Sequence, residues 1–366
     1  MKTKNAQCKS GKVNGAARAI RIFVAAAVLF SFMGGMAMAS NAPFFETQLI
    51  FTPDPARPAN HASTIAPMPD GSLLATWFGG SREGLPDVNL WAARKPKGAA
   101  AWDAPYILVE DKQFALGNSV LFMDSRSTVW LFYVIKYGEG WADWGTCHIF
   151  AMTSADSGRT WSEPRQISKE TGYVIRANAL EMPDGAIMLP VYLERPGQPM
   201  QSVIWISGDG FQSFEEFPVP LTEPAHLQPS VAPLGGENYI LFARHHTVPG
   251  RIWVSLSSDN GRTWKTPFQH KLNNPDSGIA LIALRSGALV LVWNDSKFVR
   301  TPLKVALSED GGKTWPFEKT LETAAEEFSY PFLSESPDGT IHLTYTANNR
   351  ASIRHAAFNE AWLRGN

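Results

Sequence analysis

The chain of 366 residues is long enough for one large all-β domain or two ordinary domains, and its 44% hydrophobic content can supply a sizeable core. Its 33 Lys and Arg residues nearly balance 34 Asp and Glu residues, which gives a formal net charge of -1 at pH 7. This balance argues against a nucleic-acid-binding protein, because such proteins carry a strongly basic surface.

The first predicted element is a secretory signal peptide at residues 1–39. Six basic residues and no acidic residue precede an apolar run from Ile22 to Ala37, and Ala37–Ala39 forms a small-residue cleavage site. A single membrane anchor is the alternative, but the apolar run is short for a membrane span. We therefore predict an exported protein, periplasmic or secreted, with no stable membrane insertion after cleavage. Loss of the six basic residues would take its net charge from -1 to about -7.

The remainder, residues 40–366, is predicted to be a single domain built from repeats. A Ser-x-Asp-x-Gly-x-Thr-Trp motif occurs in three copies, with a degenerate fourth: Ser154–Trp161, Ser257–Trp264, Ser308–Trp315 and Ser207–Phe214. The closing aromatic residues recur every 50 to 53 residues, and Trp102 and Trp362 extend the series in both directions. Repetition at a step of this size indicates a repeat architecture.

Each repeat also carries one tight-turn signal between apolar runs of strand length. These signals lie at Pro69–Gly71, Asp124–Arg126, Pro183–Gly185, Gly235–Gly236, Arg285–Gly287 and Pro337–Gly339. No long stretch shows helical periodicity with caps. Six units of short strands predict an all-β, six-bladed propeller of four-stranded antiparallel blades. Phe45–Phe51 would supply the outer strand that completes the last blade and leaves no long sheet edge.

The repeated motif suits a turn between the third and fourth strands of a blade, where Asp accepts hydrogen bonds and Trp packs. We therefore place no catalysis on Asp156, Asp259 or Asp310. The motif resembles the Asp-box, or bacterial neuraminidase repeat, of the sialidase superfamily, and the resemblance covers residues 45–362. It implies a sialidase-like propeller that acts on carbohydrate.

Two sets of polar residues are predicted to meet at the mouth of the central channel. In a propeller the first strand of each blade lines the channel. Counting back nine or ten residues from each turn signal reaches His61, Asn118, Arg176, His226–Gln228, Asp276–Ser277 and Ser329–Tyr330. Residues just after the second strands form the other set, which includes Arg82, Glu83, Asp87, Glu194, Arg244, Asn294, Arg300 and Arg350. Several arginines over one opening suit a substrate with a carboxylate.

The sialidase resemblance assigns roles to some of these residues. Arg244 and Arg300 lie in segments similar to those that carry two of the family's three substrate-binding arginines. Tyr330 lies in a segment similar to the one that carries the tyrosine nucleophile. Asp87 is the candidate acid/base residue, and Glu83 competes with it. The further substrate-binding candidates are Arg82, His61, Gln228, Arg176, Asn294 and Arg350.

Two departures place the chain in a divergent branch of the family. His61 stands where the family has its first arginine, and Gln228 stands where a glutamate assists the tyrosine. Gln228 cannot act as a base, so Glu83, Glu194, Glu327 or His226 are candidates for that role. The chain also lacks a phosphate-binding loop and a dinucleotide fingerprint, and we expect no cofactor and no metal.

Three functions remain open at this point. The first is an exo-glycosidase of sialidase type that releases a terminal acidic sugar, with Tyr330 as nucleophile. The second is a uronate lyase or another enzyme of acidic carbohydrates, with His61 or His226 and Tyr330 as base and acid. The third is a glycan-binding propeller without catalysis, since a fold does not fix a function.

Overall fold

Six antiparallel sheets make up the computed structural model within residues 42–138 and 143–365, the part of the chain that it describes. The strands in chain order are β1 (Phe45–Leu49), β2 (Ala59–Pro67), β3 (Leu73–Gly80), β4 (Asn89–Lys95), β5 (Tyr106–Val109), β6 (Ala115–Met123), β7 (Val129–Lys136), β8 (Cys147–Ser154), β9 (Arg165–Gln166), β10 (Tyr173–Ile175), β11 (Leu180–Glu181), β12 (Ile187–Leu193), β13 (Gln201–Ser207), β14 (Glu215–Pro218), β15 (His226–Gly235), β16 (Asn238–His245), β17 (Arg251–Ser257), β18 (Phe268–Asn273), β19 (Ala280–Ala283), β20 (Leu289–Asn294), β21 (Leu303–Ser308), β22 (Phe317–Glu322), β23 (Ser329–Glu335), β24 (Ile341–Ala347) and β25 (Ser352–Phe358). A 3-10 turn, Trp144–Thr146, precedes β8, and a short helix α1, Glu360–Arg364, follows β25.

The sheets are the six blades of a propeller, as predicted. Blades 1 and 2 contain β2–β5 and β6–β9, and blades 4 and 5 contain β15–β18 and β19–β22, each paired in chain order. In blade 3 the innermost strand is divided into β10 and β11, which both pair with β12. Blade 6 has the order β1-β25-β24-β23, so its outer strand comes from the other end of the described chain.

Closure of the ring by the first strand is confirmed. β1 runs antiparallel to β25, with Phe45 opposite Phe358 and Leu49 opposite Arg354. The Phe45 ring also stacks on Trp362 of α1, with ring centroids 4.5 Å apart. This pairing removes the exposed edge that β25 would otherwise present.

The Asp-box turns lie between the third and fourth strands of blades 2, 3, 4 and 5, as the sequence predicts. In blade 4, Asp259 accepts hydrogen bonds from the Ser257 hydroxyl at 2.8 Å and from the Thr263 backbone N–H at 2.9 Å. Its second carboxylate oxygen accepts from the Thr263 hydroxyl at 2.6 Å. Gly261 in the same turn has φ 76°, a conformation that favours glycine. The carboxylate therefore fixes the turn, and buried Trp264 packs into the blade core.

The innermost strands carry irregularities at equivalent places, and these position the site. Pairing shifts register between Leu227 and Ser230 in blade 4 and between Ser329 and Phe332 in blade 6, and similar shifts occur in blades 1 and 2. Such a bulge leaves an extra residue that bends the strand and redirects its side chain. Gln228 and Tyr330 lie in these bulges with φ 53° each, which is uncommon for residues other than glycine.

The predicted signal peptide, residues 1–39, lies outside the described residues, so its cleavage and the export of the protein stay predictions. Within residues 42–138 and 143–365, no helix has the length and apolar character needed to cross a bilayer.

Candidate active site

A cavity of about 470 Å³ opens at the centre of the ring, and every blade contributes to its lining. Its walls are formed by His61, Arg82, Glu83, Asn118, Trp144, Tyr192, Glu194, Leu227, Gln228, Arg244, His246, Asp276, Arg300, Tyr330 and Arg350. Most of the polar residues come from the inner strands, from the ends of the second strands and from the loops that follow the second strands, whereas Asp276 lies between β18 and β19. The cavity therefore collects side chains that are distant in sequence.

Eight of the eleven residues that were given catalytic or substrate-binding roles from the sequence line this cavity: His61, Arg82, Glu83, Gln228, Arg244, Arg300, Tyr330 and Arg350. Asp87, Arg176 and Asn294 do not. Asp87 is exposed, and its two carboxylate oxygens accept hydrogen bonds from the backbone N–H and the hydroxyl of Ser81 at 2.8 Å and 3.0 Å. The Asp87 side chain therefore joins the two ends of the loop from Ser81 to Asp87 and does not line the cavity.

Arg176 and Asn294 instead hold the backbone around Tyr330. Arg176 is 2% exposed, and its Nη2 donates to the carbonyl oxygens of Tyr330 at 2.5 Å and of Pro331 at 2.9 Å. Nδ2 of buried Asn294 donates to the carbonyl oxygen of Phe328 at 2.7 Å. Both side chains satisfy backbone groups that would otherwise be buried without partners, and this geometry fits a positioning role.

The phenol oxygen of Tyr330 receives two hydrogen bonds inside the cavity. Arg244 Nη1 donates to it at 2.5 Å, and Gln228 Nε2 donates to it at 3.2 Å. Arg244 Nη1 also donates to Gln228 Oε1 at 3.0 Å, which orients the amide. Donors directed at one oxygen stabilise negative charge on that oxygen. The arrangement suits a phenol that loses its proton in a reaction.

Arg244 is itself held by a carboxylate from the neighbouring blade. Its Nε lies 2.9 Å from Oδ1 of Asp276, a residue with φ 56° just before β19. Burial alone would lower the pKa of Arg244, but the Tyr330 phenol and Asp276 outweigh it and raise that pKa. The guanidinium beside the phenol therefore stays charged.

Arg300 and Arg350 are joined through one shared carboxylate. Arg300 Nη1 donates to Glu327 Oε1 at 2.7 Å, and Arg350 Nε donates to Glu327 Oε2 at 3.0 Å. Arg350 Nη1 reaches in the other direction to Glu83 Oε2 at 2.6 Å. Burial favours the neutral acid, but the two arginines outweigh it and lower the pKa of Glu327. Two guanidinium groups from blades 5 and 6 are thus fixed beside each other.

His61 is a neutral residue in contact with the tyrosine. The two rings have centroids 4.1 Å apart, and His61 Nδ1 lies 2.8 Å from the Thr346 hydroxyl. Burial, followed by the charges of Arg350 and Arg300, holds the pKa of His61 well below its usual value. The imidazole is therefore uncharged at neutral pH, and it does not replace an arginine as a cation.

Glu194 differs electrostatically from the other carboxyls of the cavity. Burial raises its pKa to about 7, although Arg244 and Lys136 act in the opposite direction. Glu83 and Asp276 each have an arginine partner within 3 Å, whereas the ion pairs within the described part of the chain include none to Glu194. A carboxyl of this kind exchanges a proton near neutral pH.

Other chemistries find little support in residues 42–138 and 143–365. No group of three or more His, Cys, Asp or Glu side chains in these ranges is placed to hold a metal ion. Cys147 is buried outside the cavity, and burial raises the pKa of its thiol, so the thiolate that a nucleophile needs is disfavoured.

The fold and the site define a class of protein, a six-bladed BNR-repeat propeller of the sialidase type. Residues 71–343 match the profile of the BNR repeat-like domain, and the chain belongs to this family. It is 26% identical over 337 residues to a sialidase from Micromonospora viridifaciens, a match that covers 81% of this chain and 51% of the relative. It is 21% identical to a sialidase from Bacteroides fragilis over 80% of this chain and 60% of the relative. The chain thus spans about half the length of the first relative.

Solved structures share the same architecture. The Hadza microbial sialidase Hz136 superposes with a TM-score of 0.71 at 20% identity and covers 82% of this chain and 65% of its own. A protein of unknown function from Dyadobacter fermentans superposes with a TM-score of 0.73 at 14% identity, over 86% and 98% of the two chains. At these identities the likeness shows the fold.

Two cavity residues were not found by sequence reasoning, namely Trp144 and Tyr192. Trp144 belongs to the 3-10 turn that follows the second strand of blade 2. Tyr192 lies within the apolar run of β12 and carries no signal that separates it from core residues. Only its place in the folded blade assigns Tyr192 to the cavity.

Proposed function

We propose that the protein is a retaining exo-glycosidase of sialidase type that releases a terminal acidic sugar, sialic acid or a related one, from glycans. The observation that carries this proposal is the Tyr330 phenol oxygen, 2.5 Å from the Arg244 guanidinium in a cavity with four arginines. The similarity to curated sialidases supports the same reading.

The arginines suit a sugar whose carboxylate lies on the reacting carbon. Arg244, Arg300 and Arg350 come from blades 4, 5 and 6, and guanidinium groups hold carboxylates by paired hydrogen bonds. Arg350 offers a cation that the neutral His61 does not. A phenol nucleophile avoids the charge repulsion that a carboxylate nucleophile would meet beside the sugar carboxylate.

The first chemical step forms a bond between the Tyr330 phenol oxygen and the anomeric carbon while the bond to the leaving oxygen breaks. Gln228 offers no base, so the phenol proton passes to water in the open cavity. Arg244 and Gln228 then stabilise the negative oxygen through the hydrogen bonds that they donate. Water later attacks the anomeric carbon and restores the tyrosine, which gives net retention.

The test compares wild type with Tyr330→Phe on fluorogenic sialosides and on uronate glycosides. We expect turnover of an acidic glycoside and a loss of at least about 10³-fold in kcat for Tyr330→Phe, because removal of a nucleophile abolishes the covalent route. Tyr106→Phe is the matched control, since Tyr106 is 41% exposed on the outer strand of blade 1. Absence of turnover on every acidic glycoside, or full activity of Tyr330→Phe, would contradict the proposal.

A second candidate is a uronate lyase, and the neutral His61 in contact with Tyr330 is the observation that favours it. His61 would take the proton beside the uronate carboxylate, and Tyr330 would protonate the leaving oxygen. An unsaturated uronate product, seen by its ultraviolet absorbance, would select this function. Saturable glycan binding without any product would select a binding propeller instead.

A further inference from the structure

The proton donor of the proposed reaction is not settled by resemblance, because Asp87 lies outside the cavity. Within residues 42–138 and 143–365, three carboxyl side chains line the cavity: Glu83, Glu194 and Asp276. Glu83 Oε2 is 2.6 Å from Arg350 Nη1, and Asp276 Oδ1 is 2.9 Å from Arg244 Nε. Each of these two carboxyl groups is therefore already occupied by an ion pair to an arginine.

We propose that Glu194 is the general acid and base of this site. This inference rests on the proposed glycosidase function and adds a residue to it. Glu194 gives its proton to the glycosidic oxygen as the bond from that oxygen to the anomeric carbon breaks. The resulting carboxylate then takes a proton from the water that attacks the glycosyl-tyrosine, and this returns Glu194 to its acid form.

The place of Glu194 in the fold supports this role. It follows β12 directly, in the loop that joins the second and third strands of blade 3. Its backbone N–H donates to the carbonyl oxygen of Gly172 at 2.8 Å. A Cβ atom at Gly172 would lie only 2.9 Å from the Glu194 carbonyl oxygen, so the two segments pack closely. The side chain is therefore presented to the cavity from a fixed strand end.

The surrounding charges leave Glu194 able to hold and release a proton. The charged groups that act on it come from four other segments: Lys136 in β7, Glu83 after β3, Arg244 in β16 and Asp276 before β19. The two cations lower its pKa and the two carboxylates raise it, while burial has the largest effect and sets the pKa at about 7. At neutral pH both forms are thus populated, as an acid that later acts as a base requires.

The decisive experiment compares Glu194→Gln with Asp87→Asn on two sialosides. One carries 4-nitrophenol, a leaving group that departs without protonation, and the other carries a sugar hydroxyl, which needs a proton. We expect Glu194→Gln to lose about 10² to 10⁴-fold in kcat/KM on the sugar-linked substrate. On the 4-nitrophenyl substrate it should lose less than about tenfold in its first chemical step. The basic limb of its pH profile near neutrality should also disappear.

Two further readouts separate a chemical role from a structural one. Azide, a small anion that needs no general base, should restore turnover of Glu194→Ala on the 4-nitrophenyl substrate and yield a glycosyl azide. Glu170→Gln is the matched control, because Glu170 is an exposed carboxyl paired with Arg195, and its profile should equal that of wild type. Equal losses of Glu194→Gln on both substrates, or the acid signature in Asp87→Asn instead, would overturn the proposal.

A titration that needs no turnover distinguishes the two ways in which this could fail. In wild type, the infrared band of a protonated carboxyl should fade as pH rises through about 7, and it should be missing from Glu194→Gln. Absence of that band from wild type would overturn the role of Glu194 even if glycosides are hydrolysed. A wild type that shows the band yet hydrolyses none of the glycosides would contradict the glycosidase function, and this role with it.

Discussion

The Asp-box turns at the periphery and the cavity at the axis are both held by side-chain hydrogen bonds, but these bonds span very different separations along the chain. Asp310 accepts hydrogen bonds from Ser308 and Thr314, both within four residues of it. In the cavity, the contact from Arg244 to Tyr330 spans 86 residues and that from Arg350 to Glu83 spans 267. The turns depend on local sequence, whereas the cavity exists only when the ring has closed.

The left-handed backbone conformation occurs in both regions. In the Asp-box turns it falls on glycines such as Gly261 and Gly312, and also on Ser157, Phe211 and Asn260. At the cavity it falls on Gln228, Asp276 and Tyr330, which are not glycines. Residues in such conformations cost about 1–3 kcal/mol each, and surrounding contacts must hold them. At the centre such contacts come from other blades, since Arg176 of blade 3 donates to the carbonyl oxygen of Tyr330 in blade 6.

The largest effect is expected at Arg176, which supports the strained segment from outside the cavity. Arg176→Ala leaves the carbonyl oxygens of Tyr330 and Pro331 without their donor and opens a cavity. We expect the free energy of unfolding to fall by about 3–5 kcal/mol, measured by urea denaturation. Arg165→Ala is the control, because the more exposed Arg165 also donates to two carbonyl oxygens, those of Phe211 and Gly210. Similar losses in the free energy of unfolding for both variants would contradict the expected difference between the centre and the periphery.

A smaller effect is expected at Glu327, which aligns Arg300 and Arg350. Glu327→Gln removes the charge that both guanidinium groups share, so their preorganisation for a carboxylate is lost. We expect a KM for the acidic glycoside about 10- to 100-fold higher with kcat largely retained, and an equally weaker Kd for the free acidic sugar by calorimetry. Glu318→Gln, which removes a partner of surface Lys304, is the control. Unchanged or tighter binding would show that Glu327 competes with the ligand.

The Asp-box turns should affect stability and leave the cavity unaltered. Asp259→Ala removes three hydrogen bonds from the blade 4 turn, and we expect a loss of about 1–2 kcal/mol in the free energy of unfolding. The kcat and KM values should equal those of wild type. Asp103→Ala is the control, since Asp103 is exposed in the corresponding loop of blade 1 and lies outside an Asp-box. A change in kcat for Asp259→Ala would contradict this prediction, because it would show that the blade 4 turn influences the cavity.

The fold could be predicted because its information is local and repeated. The closing aromatic residues and the turn signals follow from short patterns and fall where the sequence predicts, and the outer strand predicted over Phe45–Phe51 forms over Phe45–Leu49. Eight site residues could be placed because equivalent positions in a propeller meet at one opening. Glu194 could not be preferred to Asp87 from sequence, since only the folded loop shows Asp87 bonded to Ser81. Likewise, the division of the inner strand of blade 3, which accompanies the burial of Arg176 beneath Tyr330, has no signature in the sequence.

The smallest expected effect is the pH dependence of the Asp-box turns. The Thr314 hydroxyl, with the backbone and Ser308 bonds, lowers the pKa of Asp310 to about 2, and the Ser213 hydroxyl acts in the same way on Asp209. A carboxyl whose pKa is lower in the folded state contributes stability above its unfolded pKa of about 4. That contribution is lost as pH falls through about 2. The urea midpoints of wild type and Asp310→Asn should therefore differ most at pH 6 and converge near pH 2. A difference that stays constant with pH would mean that the turn is held by hydrogen bonds insensitive to the charge of Asp310, which would separate the turns still further from the charged cavity.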